Sequence, residues 1–505
     1  MTEPPDGFPG ALDYCANTNL TVPGPIYEGD EASDDQMDDL VHKVLSSGST
    51  GNSSSADSSS RKHEASPDAT SPTSPRSSGA KVGFWASLLG DDSSKRDAYE
   101  VPQFGVRVTL TQKPKRELDH LMFAQCLPGA HKGPIWRLVF SAEGLFLASA
   151  GQDGRVVIWR TLQAVKEDFE QSEFQTRCES NQTIPSGPKL FASEPWRVLT
   201  GHQDAVVDLA WSNSQFLLSA SEDCSVRLWH AQRASCLRVF QHPLPVLSVR
   251  FAPNNDATFV TGCRDTTVRV WSAPEGRVVH WLCMPQPVTS LCFLSDQEMV
   301  IAGLEDGEVR FIKFNPKVGL EFFTQIECRN RRGVQRKGKR VTGIEACTLI
   351  GADGKPRDVI VVTTNDSRIR LCSLDTYLCL CKYKGATNNN FPIAGTVSET
   401  GGHLLCGSED RNVYMWKLDF FEQETSGLTS LAQSKKLLGH VVKKCSSHES
   451  WNAHAGIVTA AIFAPRKTRD VAREAYPVSN SPDNVTRGTF MITAGVDGHI
   501  HIFEN

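Results

Sequence analysis

The sequence predicts an all-β fold that is built from a repeated unit and follows a disordered N-terminal tail. Three stretches of the 505-residue chain begin with His and end with Trp, and in each an Asp lies six residues before the Trp. The apolar segments between these positions are short, alternate with polar residues and are separated by turn residues, which favours strands. Self-similarity at a regular period is typical of a repeat architecture.

Residues 1–119 have the composition of a disordered tail. Residues 1–40 contain ten Asp and Glu and no Lys or Arg, and Ser dominates residues 46–78. Such segments cannot bury enough apolar surface to offset the entropy that ordering would cost. A short apolar motif at residues 83–90 is predicted to dock on the folded part of the chain or in a groove of a partner. Three serines that precede proline are candidate phosphorylation sites: Ser66, Ser71 and Ser74.

The repeated unit is most regular over residues 131–271. Each copy contains an apolar strand after the His, a second strand rich in small and aliphatic residues, and a third strand after the Asp. The shared positions are His131, Ser149, Asp153 and Trp159 in the first copy, His202, Ser219, Asp223 and Trp229 in the second, and His242, Thr261, Asp265 and Trp271 in the third. Four weaker copies keep the Asp, at Asp306, Asp366, Asp410 and Asp497.

This pattern resembles the WD-repeat family, and the resemblance implies a seven-bladed β-propeller with four short antiparallel strands in each blade. The seventh copy ends on its third strand, while residues 121–127 form a strand that precedes the first copy. We predict that this strand completes the last blade, so that no sheet edge stays open at the closure. The propeller is assigned to residues 120–505, with insertions at about 161–195, 419–450 and 466–488.

The His, Ser or Thr and Asp of the regular copies have the residue types of a hydrolase triad. The set recurs in three copies, however, whereas an enzyme needs one nucleophile. In WD repeats these residues form a hydrogen-bonded chain with the Trp that ties the strands of one blade together, since buried polar groups must be paired. Because no phosphate-binding loop, metalloprotease motif or nucleophile elbow occurs either, the sequence predicts no enzyme, no cofactor, no metal and no small-molecule substrate.

Several stretches are similar to one group of WD-repeat proteins, the family of WD repeat-containing protein 44, which binds the Rab GTPase of recycling endosomes. The similar stretches include LASAGQDGRVVIW, TQIECRNRRGVQRKGKRVTGIE, TTNDSRIRLCSLD and NAHAGIVTAAIFAP. The resemblance implies a scaffold that serves as a Rab effector or adaptor in endosomal recycling and vesicle traffic. The Rab-binding segment of that family lies before the propeller, and residues 1–119 contain no stretch that matches it.

A second interpretation is a substrate receptor of a cullin-type ubiquitin ligase, because many propellers have that role. The Trp-Asp pair that usually accompanies ligase docking is missing from the repeats. The residues that follow the four repeat tryptophans are Arg160, His230, Ser272 and Lys417.

One basic run stands out in a chain whose formal net charge of −5 does not predict nucleic-acid binding. It joins the fourth and fifth copies, and its cations are Arg329, Arg331, Arg332, Arg336, Lys337, Lys339 and Arg340. Two glycines and the lack of apolar side chains over residues 335–340 predict an exposed loop. Three interpretations are open: contact with an anionic membrane or acidic partner, a clamp on the acidic tail, or a solvated loop without a partner.

The stretch EFFTQIE, residues 321–327, matches a motif by which lipid-transfer and tethering proteins bind the endoplasmic reticulum. It lies where the outer strand of a blade belongs, however, and we expect Phe322 or Phe323 to be packed. A packed strand cannot serve as an extended ligand, so the sequence does not favour this role.

The cysteines and the hydropathy pattern predict a cytosolic protein with peripheral contact to endosomal membranes at most. The fifteen cysteines contain no CxxC pair and are interpreted as reduced, buried side chains. Cys379 and Cys381 are expected to face the same side of one strand. No apolar run is long enough to cross a bilayer, and the first residues lack the pattern of a secretion signal.

Overall fold

The computed structural model describes residues 105–113, 116–129, 131–162, 164, 189–294, 299–315, 317–328, 339–351, 354–418, 442–469 and 488–505. These residues form seven sheets of four or five strands each, arranged as a β-propeller. The fold class predicted from the sequence is therefore confirmed. Most of the predicted tail, including the apolar motif and the three candidate phosphorylation sites, lies outside the described residues.

The strands of the first half of the chain are β1 (Val108–Thr111), β2 (Met122–Leu127), β3 (Ile135–Phe140), β4 (Phe146–Gly151), β5 (Val156–Arg160), β6 (Arg197–Leu199), β7 (Val206–Trp211), β8 (Phe216–Ser221), β9 (Ser225–His230), β10 (Arg238–Gln241), β11 (Val246–Ala252), β12 (Asn255–Cys263), β13 (Thr267–Ser272) and β14 (Arg277–Cys283). Those of the second half are β15 (Val288–Phe293), β16 (Met299–Leu304), β17 (Glu308–Asn315), β18 (Gly319–Glu327), β19 (Val341–Ile350), β20 (Pro356–Thr364), β21 (Arg368–Ser373), β22 (Cys379–Tyr383), β23 (Gly395–Val397), β24 (His403–Cys406), β25 (Asn412–Lys417), β26 (Lys443–Cys445), β27 (His448–Asn452), β28 (Val458–Phe463), β29 (Phe490–Gly495) and β30 (Ile500–Glu504).

Blades 1 to 4 follow the chain in order, each with four antiparallel strands. Their sheets are β3 to β6, β7 to β10, β11 to β14 and β15 to β18. The Asp of each copy lies in the turn between the second and third strands, and the residue that follows it has a positive φ: Gly154, Cys224, Thr266 and Gly307. The short alternating segments of the sequence therefore correspond to single strands.

The ring closes as predicted, because β2 is the fourth strand of blade 7. It pairs with β30 in antiparallel register from Met122 opposite Glu504 to Leu127 opposite Ile500. The edge-to-face contact of Phe123 with Phe503, with ring centroids 5.7 Å apart, packs the two strands together. Residues from the two ends of the propeller thus share one sheet.

Blades 5 and 6 carry a fifth strand that the sequence did not predict. In blade 5, β26 pairs in parallel with the outer strand β22, and in blade 6, β1 pairs antiparallel with β27. The insertion assigned to residues 419–450 therefore contributes a strand to blade 5 and the start of a strand to blade 6. Each added strand covers an edge that would otherwise expose unpaired backbone groups.

The predicted tail boundary at residue 119 is wrong, because β1 and the residues after it belong to blade 6. Val108 and Leu118 are buried in the core between blades 6 and 7. The fully buried carboxylate of Glu449 accepts hydrogen bonds from Lys113 Nζ at 2.6 Å and from the backbone N–H of Leu118 at 2.9 Å. Only four residues of this segment pair as a strand, which is too short a pattern to recognise beside a polar tail.

The core lies between the blades rather than at the centre of the ring. Val260 and Val268 of blade 3, for example, pack against Val288 and Leu291 of blade 4. The blades approach so closely that a Cβ on Gly262 would lie 2.5 Å from Cγ1 of Val288. Glycine is therefore required at this position by packing, because any side chain would push the two blades apart.

The expectation that Cys379 and Cys381 face the same side is wrong. Cys372 pairs with Cys379 and Leu371 pairs with Cys381, so one extra residue forms a bulge in β22. A bulge interrupts the strict alternation of side chains along a strand. As a result, Cys379 packs between blades 4 and 5, whereas Cys381 packs between blades 5 and 6.

Candidate functional site

Blades 1 and 2 contain a hydrogen-bonded chain of the shared His, Ser and Asp residues. In blade 2, His202 Nδ1 donates to Asp223 at 2.8 Å and its Nε2 lies 2.7 Å from Ser219 Oγ. Trp229 Nε1 donates to the same hydroxyl at 2.9 Å, which completes a chain from the third strand to the turn. Because every polar atom in it has a partner, the chain links all parts of the blade without an unpaired buried group.

Blade 1 has the same arrangement with one member missing. His131 contacts Asp153 at 2.9 Å and Ser149 at 2.9 Å. The indole nitrogen of Trp159, by contrast, is buried without a hydrogen-bond partner among the described residues. Trp159 therefore contributes to blade 1 by packing.

The charge state of the turn carboxylate follows from these bonds. Burial alone would raise the pKa of Asp223, but the hydrogen bond and charge of His202, with further bonds from Ser225 and Gln203, outweigh it and lower the pKa. The carboxylate thus stays ionised and acts as an acceptor only.

Blade 3 departs from the predicted set, because Asp265 does not contact His242. Asp265 forms a two-point ion pair with Arg269, with oxygen to nitrogen distances of 2.6 and 3.2 Å. His242 Nδ1 donates instead to the carbonyl of Phe240 at 3.0 Å, and Thr261 bonds its Nε2 at 3.1 Å. A paired guanidinium binds a carboxylate more strongly than a neutral imidazole does, which explains the exchange. Burial, together with the Arg269 charge, lowers the pKa of His242 to about 3.

In two of the weaker copies, too, the carboxylate of the turn Asp binds the side chain four residues later. Asp366 pairs with Arg370 at 2.5 Å in blade 5, and Asp410 accepts from Tyr414 Oη at 2.6 Å in blade 6. Position alone does not decide the partner, since Arg227 occupies the equivalent place in blade 2. These copies therefore keep the function of the Asp and change its partner.

Blade 7 contains a further chain of His, Thr and Asp that was not assigned from the sequence, with Phe503 in the position that Trp has in the regular copies. His454 Nδ1 contacts Asp497 at 2.9 Å, and its Nε2 lies 2.9 Å from Thr493 Oγ1. The insertion between the first and second strands of this blade separates His454 from Thr493 by 39 residues, against 17 in blade 2. Because of this longer separation, the three residues do not show the regular spacing of the other copies in the sequence.

The hydroxyls of these sets cannot act as nucleophiles on a substrate from solution. Ser149, Ser219, Thr261 and Thr493 are all completely buried. Each one is occupied by the imidazole of its own blade. The geometry is that of a structural link and not of a catalytic triad.

A polar network that the sequence did not predict surrounds the centre of the ring. Asp208 of β7 accepts from Ser248 Oγ at 2.7 Å and from Arg250 Nη1 at 2.6 Å. Its other oxygen lies 3.2 Å from Nε of Arg137 in β3. One carboxylate therefore joins three adjacent blades, and the two guanidiniums outweigh burial and lower the pKa of Asp208.

The remaining blade junctions use a hydroxyl that donates to a backbone carbonyl of the next blade. The pairs are Thr289 with Val341 at 2.7 Å, Thr342 with Ile393 at 2.7 Å, Thr396 with Ala461 at 2.8 Å, and Thr459 with Ile135. Blades 3 and 4 are joined by the N–H of Leu291, which donates to Ser248 Oγ at 3.1 Å. Polar links thus continue around the whole ring.

A half-buried carboxylate, that of Glu345, lies near this network. Glu345 of β19 accepts from the N–H of Val397 at 3.0 Å. Burial raises the pKa of Glu345 to about 7, although that hydrogen bond and the charges of Arg137 and Arg250 act against the rise.

The cavity beside Asp208 has a volume of about 40 Å³. This is far below the roughly 300 Å³ of a typical small-molecule site.

Most of the basic run lies outside the described residues, since the structure describes only Lys339 and Arg340 of its seven cations. Lys339 is exposed. Arg340 is half-buried, and its Nη2 donates to Glu305 Oε1 at 2.6 Å, in the turn that follows β16. Arg340 is one of the candidate contacts for an acidic partner or lipid, and its ion pair with Glu305 joins the end of the run to blade 4.

The structure places EFFTQIE in β18, the outer strand of blade 4, as predicted. The expectation of a packed phenylalanine is wrong, however, because Phe322 is 45% exposed and Phe323 is 43% exposed. Cationic side chains lie over both rings, with Arg310 5.1 Å from the centroid of Phe322 and Lys313 4.4 Å from that of Phe323. An outer strand has no further blade beyond it, so its side chains reach solvent.

The described residues contain neither a membrane-spanning helix nor a metal-binding cluster. No helix among them is long and apolar enough to cross a membrane. In the same part of the chain, no group of three His, Cys, Asp or Glu side chains is arranged to hold a metal ion.

Comparison with known proteins agrees with this architecture. A family model described as "WD domain, G-beta repeat" matches residues 124–160, 193–230 and 234–272. The chain is 30% identical over 433 residues to WD repeat-containing protein 44 of Xenopus laevis, an alignment that covers 77% of this chain and 45% of the relative.

Two fungal proteins are also similar. An uncharacterized WD repeat-containing protein of Schizosaccharomyces pombe is 26% identical over 404 residues, which covers 76% of this chain and 66% of the relative. The 2-deoxy-glucose resistant protein 2 of Saccharomyces cerevisiae is 25% identical over 368 residues, which covers 62% of this chain and 42% of the relative. The chain spans about half the length of the curated relatives that it matches.

The three matched repeats correspond to blades 1 to 3 and the strand that closes the ring. The alignment with WD repeat-containing protein 44 extends over a much longer part of the chain. The chain therefore belongs to the WD-repeat family and is related to WD repeat-containing protein 44.

Proposed function

We propose that this chain is a non-enzymatic interaction scaffold that acts as an effector or adaptor of a Rab GTPase in endosomal recycling and vesicle traffic. The observation that supports this most directly is the similarity to WD repeat-containing protein 44, which covers 77% of the chain. A closed ring offers extended surfaces to protein partners, as other repeat architectures do.

The interior of the ring supports a scaffold over an enzyme. The hydroxyls that resemble nucleophiles are buried and engaged within their own blades. The cavity beside Asp208 is too small for an ordinary substrate. The exposed surface of the described residues is therefore the more suitable place for binding.

The Rab proposal is tested by capture of the full chain on a panel of Rab GTPases loaded with a GTP analogue or with GDP. A second protein that starts at residue 105 keeps every described strand and lacks the residues before them. We expect one Rab to retain the full chain only in the GTP form. Capture of both proteins would place the binding surface on the propeller, and capture of the full chain alone would place it in residues 1–104. If no Rab retains the full chain in either nucleotide state, the Rab proposal is wrong.

We further propose that the basic run at residues 329–340 contacts an anionic membrane or an acidic partner. The run contains seven cations, of which Arg340 pairs with Glu305. Each Lys or Arg near an anionic surface contributes about 1 kcal/mol to binding. Several such residues close together in the sequence would thus provide useful affinity.

Charge reversal tests this contact. We would replace Arg331, Arg332, Arg336 and Lys337 with Glu and measure flotation with liposomes that contain phosphatidylserine. The matched control also reverses four charges, at lysines that are exposed elsewhere on the propeller: Lys132, Lys189, Lys317 and Lys467. We expect flotation to fall at least tenfold in the first variant and little in the control. Unchanged flotation would remove the membrane contact. Binding of a synthetic peptide with the sequence of residues 1–40 would then test whether the run meets the acidic tail.

A further inference from the structure

Three cysteine thiols meet at the junction of blades 4 and 5. Cys328 directly follows β18, while Cys372 lies on β21 and Cys379 on β22. All three side chains pack in the same apolar cluster between the two blades. Cys328 and Cys372 are buried, whereas Cys379 is partly exposed. The cluster therefore has one member that a small molecule in solution can reach.

Cys372 and Cys379 are placed to form a disulfide. They lie directly opposite each other in the antiparallel hairpin of β21 and β22. Opposite residues of antiparallel strands have Cα atoms roughly 4.5–5.5 Å apart. Cysteines joined by a disulfide have Cα atoms roughly 4.4–6.8 Å apart. The bond can thus form without a change in strand pairing.

The surroundings give the two thiols different roles. The hydrogen bond with Cys372 lowers the pKa of Cys379, burial opposes this, and the charges of Lys382 and Arg370 add to it. The hydrogen bonds from Cys328 and Cys379, with burial, raise the pKa of Cys372. The accessible Cys379 is therefore the better nucleophile, since the thiolate is the reactive form of cysteine. Cys372 stays protonated beside it.

We propose that Cys379 and Cys372 form a peroxide-sensitive dithiol. The Cys379 thiolate attacks one oxygen of hydrogen peroxide, the O–O bond breaks, and the departing hydroxide takes a proton to become water, which leaves Cys379 as a sulfenic acid. The sulfur of Cys372 then attacks the sulfur of Cys379 and loses its proton, and the S–O bond breaks to release a second water. Two thiols and one peroxide thus give one disulfide and two waters, and a dithiol reductant reverses the reaction.

Oxidation would also change the surroundings of Cys328, the residue next to the basic run. The disulfide takes the Cys372 thiol away from Cys328, which is the residue immediately before Arg329. Formation of the disulfide in blade 5 would therefore alter the packing of Cys328, the residue that directly precedes the basic run.

Peptide mass spectrometry of the full-length chain tests the proposal. The protein is treated with hydrogen peroxide, quenched with catalase, unfolded and alkylated, and then cut with trypsin. Cleavage after Arg370 and Lys382 releases one peptide, residues 371–382, which holds Cys372, Cys379 and Cys381. We expect this peptide to lose the mass of two hydrogen atoms and to carry a single alkyl group, on Cys381.

Two variants distinguish the roles of the thiols. In Cys372→Ser, the sulfenic acid at Cys379 should accumulate and be trapped by dimedone. The matched control Cys381→Ser removes the other cysteine of β22 and should still form the disulfide. A cooperative transition with a melting temperature close to that of the wild-type chain shows that each variant is folded.

Several outcomes would overturn the proposal. A wild-type peptide that carries three alkyl groups after peroxide treatment shows that the dithiol does not react. A disulfide between Cys379 and Cys381, or a cross-link to the peptide that holds Cys328, shows that a different pair of thiols reacts. The absence of a dimedone adduct in a folded Cys372→Ser protein shows that Cys379 is not the residue that peroxide attacks first.

Discussion

Glu345 gives the sharpest test of the electrostatics inside the ring. In the folded protein its pKa is raised from 4.5 to about 7, mainly by burial. A carboxyl group with a raised pKa binds its proton more tightly in the folded chain than in the unfolded chain. Its contribution to stability is therefore fully present below pH 4.5 and is lost as the pH rises towards 7.

The size of this effect follows from the shift. One pKa unit corresponds to about 1.4 kcal/mol, so a shift from 4.5 to about 7 corresponds to roughly 3 kcal/mol. In Glu345→Gln the side-chain carbonyl can still accept from the N–H of Val397, but the group cannot ionise. We expect the variant to gain roughly 3 kcal/mol relative to the wild-type chain between pH 4.5 and pH 8.

The assay is urea denaturation of both proteins at several pH values, and the measured quantity is the difference between their free energies of unfolding. The difference is needed because buried histidines such as His242 and His501, whose pKa is lowered to about 3, also make stability depend on pH. The pKa of each of these histidines is lower in the folded chain than in the unfolded chain, so their contribution to stability is fully present above about pH 6.5 and is lost as the pH falls. This contribution is the same in both proteins and cancels in the difference. Glu321→Gln on the exposed outer strand is the control. Parallel pH curves for Glu345→Gln and the wild type would refute the argument.

Three further changes test other parts of the ring. Asp223→Ala should lower the free energy of unfolding by roughly 1–3 kcal/mol, because it leaves the histidine of blade 2 without its acceptor; an unchanged melting temperature would contradict this. Asp208→Ala should cost more, about 3–5 kcal/mol in urea denaturation, because it leaves two guanidiniums facing each other without their shared carboxylate; a smaller loss than that of Asp223→Ala would contradict this. A chain that starts at residue 120 should melt below one that starts at residue 105, because it lacks β1 and the donors to the buried Glu449; equal melting temperatures would mean that this strand adds nothing to blade 6.

The number of blades, the position of the turn Asp in each and the strand that closes the ring could all be predicted from the sequence. The first two of these features depend on residues that lie close together in the sequence, within one repeat. The spacing of six residues from Asp153 to Trp159 recurs because a turn and one strand have a fixed length. The pairing of residues 121–127 with the last blade followed from the count of strands, since a ring of complete sheets needs a fourth strand there.

The groups that meet across blades could be identified only from the folded structure. The ion pair between Arg340 and Glu305 and the carboxylate of Asp208 between two arginines depend on side-chain directions that a repeat pattern does not contain. The same is true of the choice of Arg269 as the partner of Asp265 within blade 3. The fifth strands β1 and β26 were missed because a short segment with few apolar residues pairs through its backbone, which every residue carries. Repeat spacing encodes the contacts within a blade, where partners lie a turn or two apart in the chain. The contacts between blades join residues that the sequence separates by tens to hundreds of positions, and only the folded ring brings them within bonding distance.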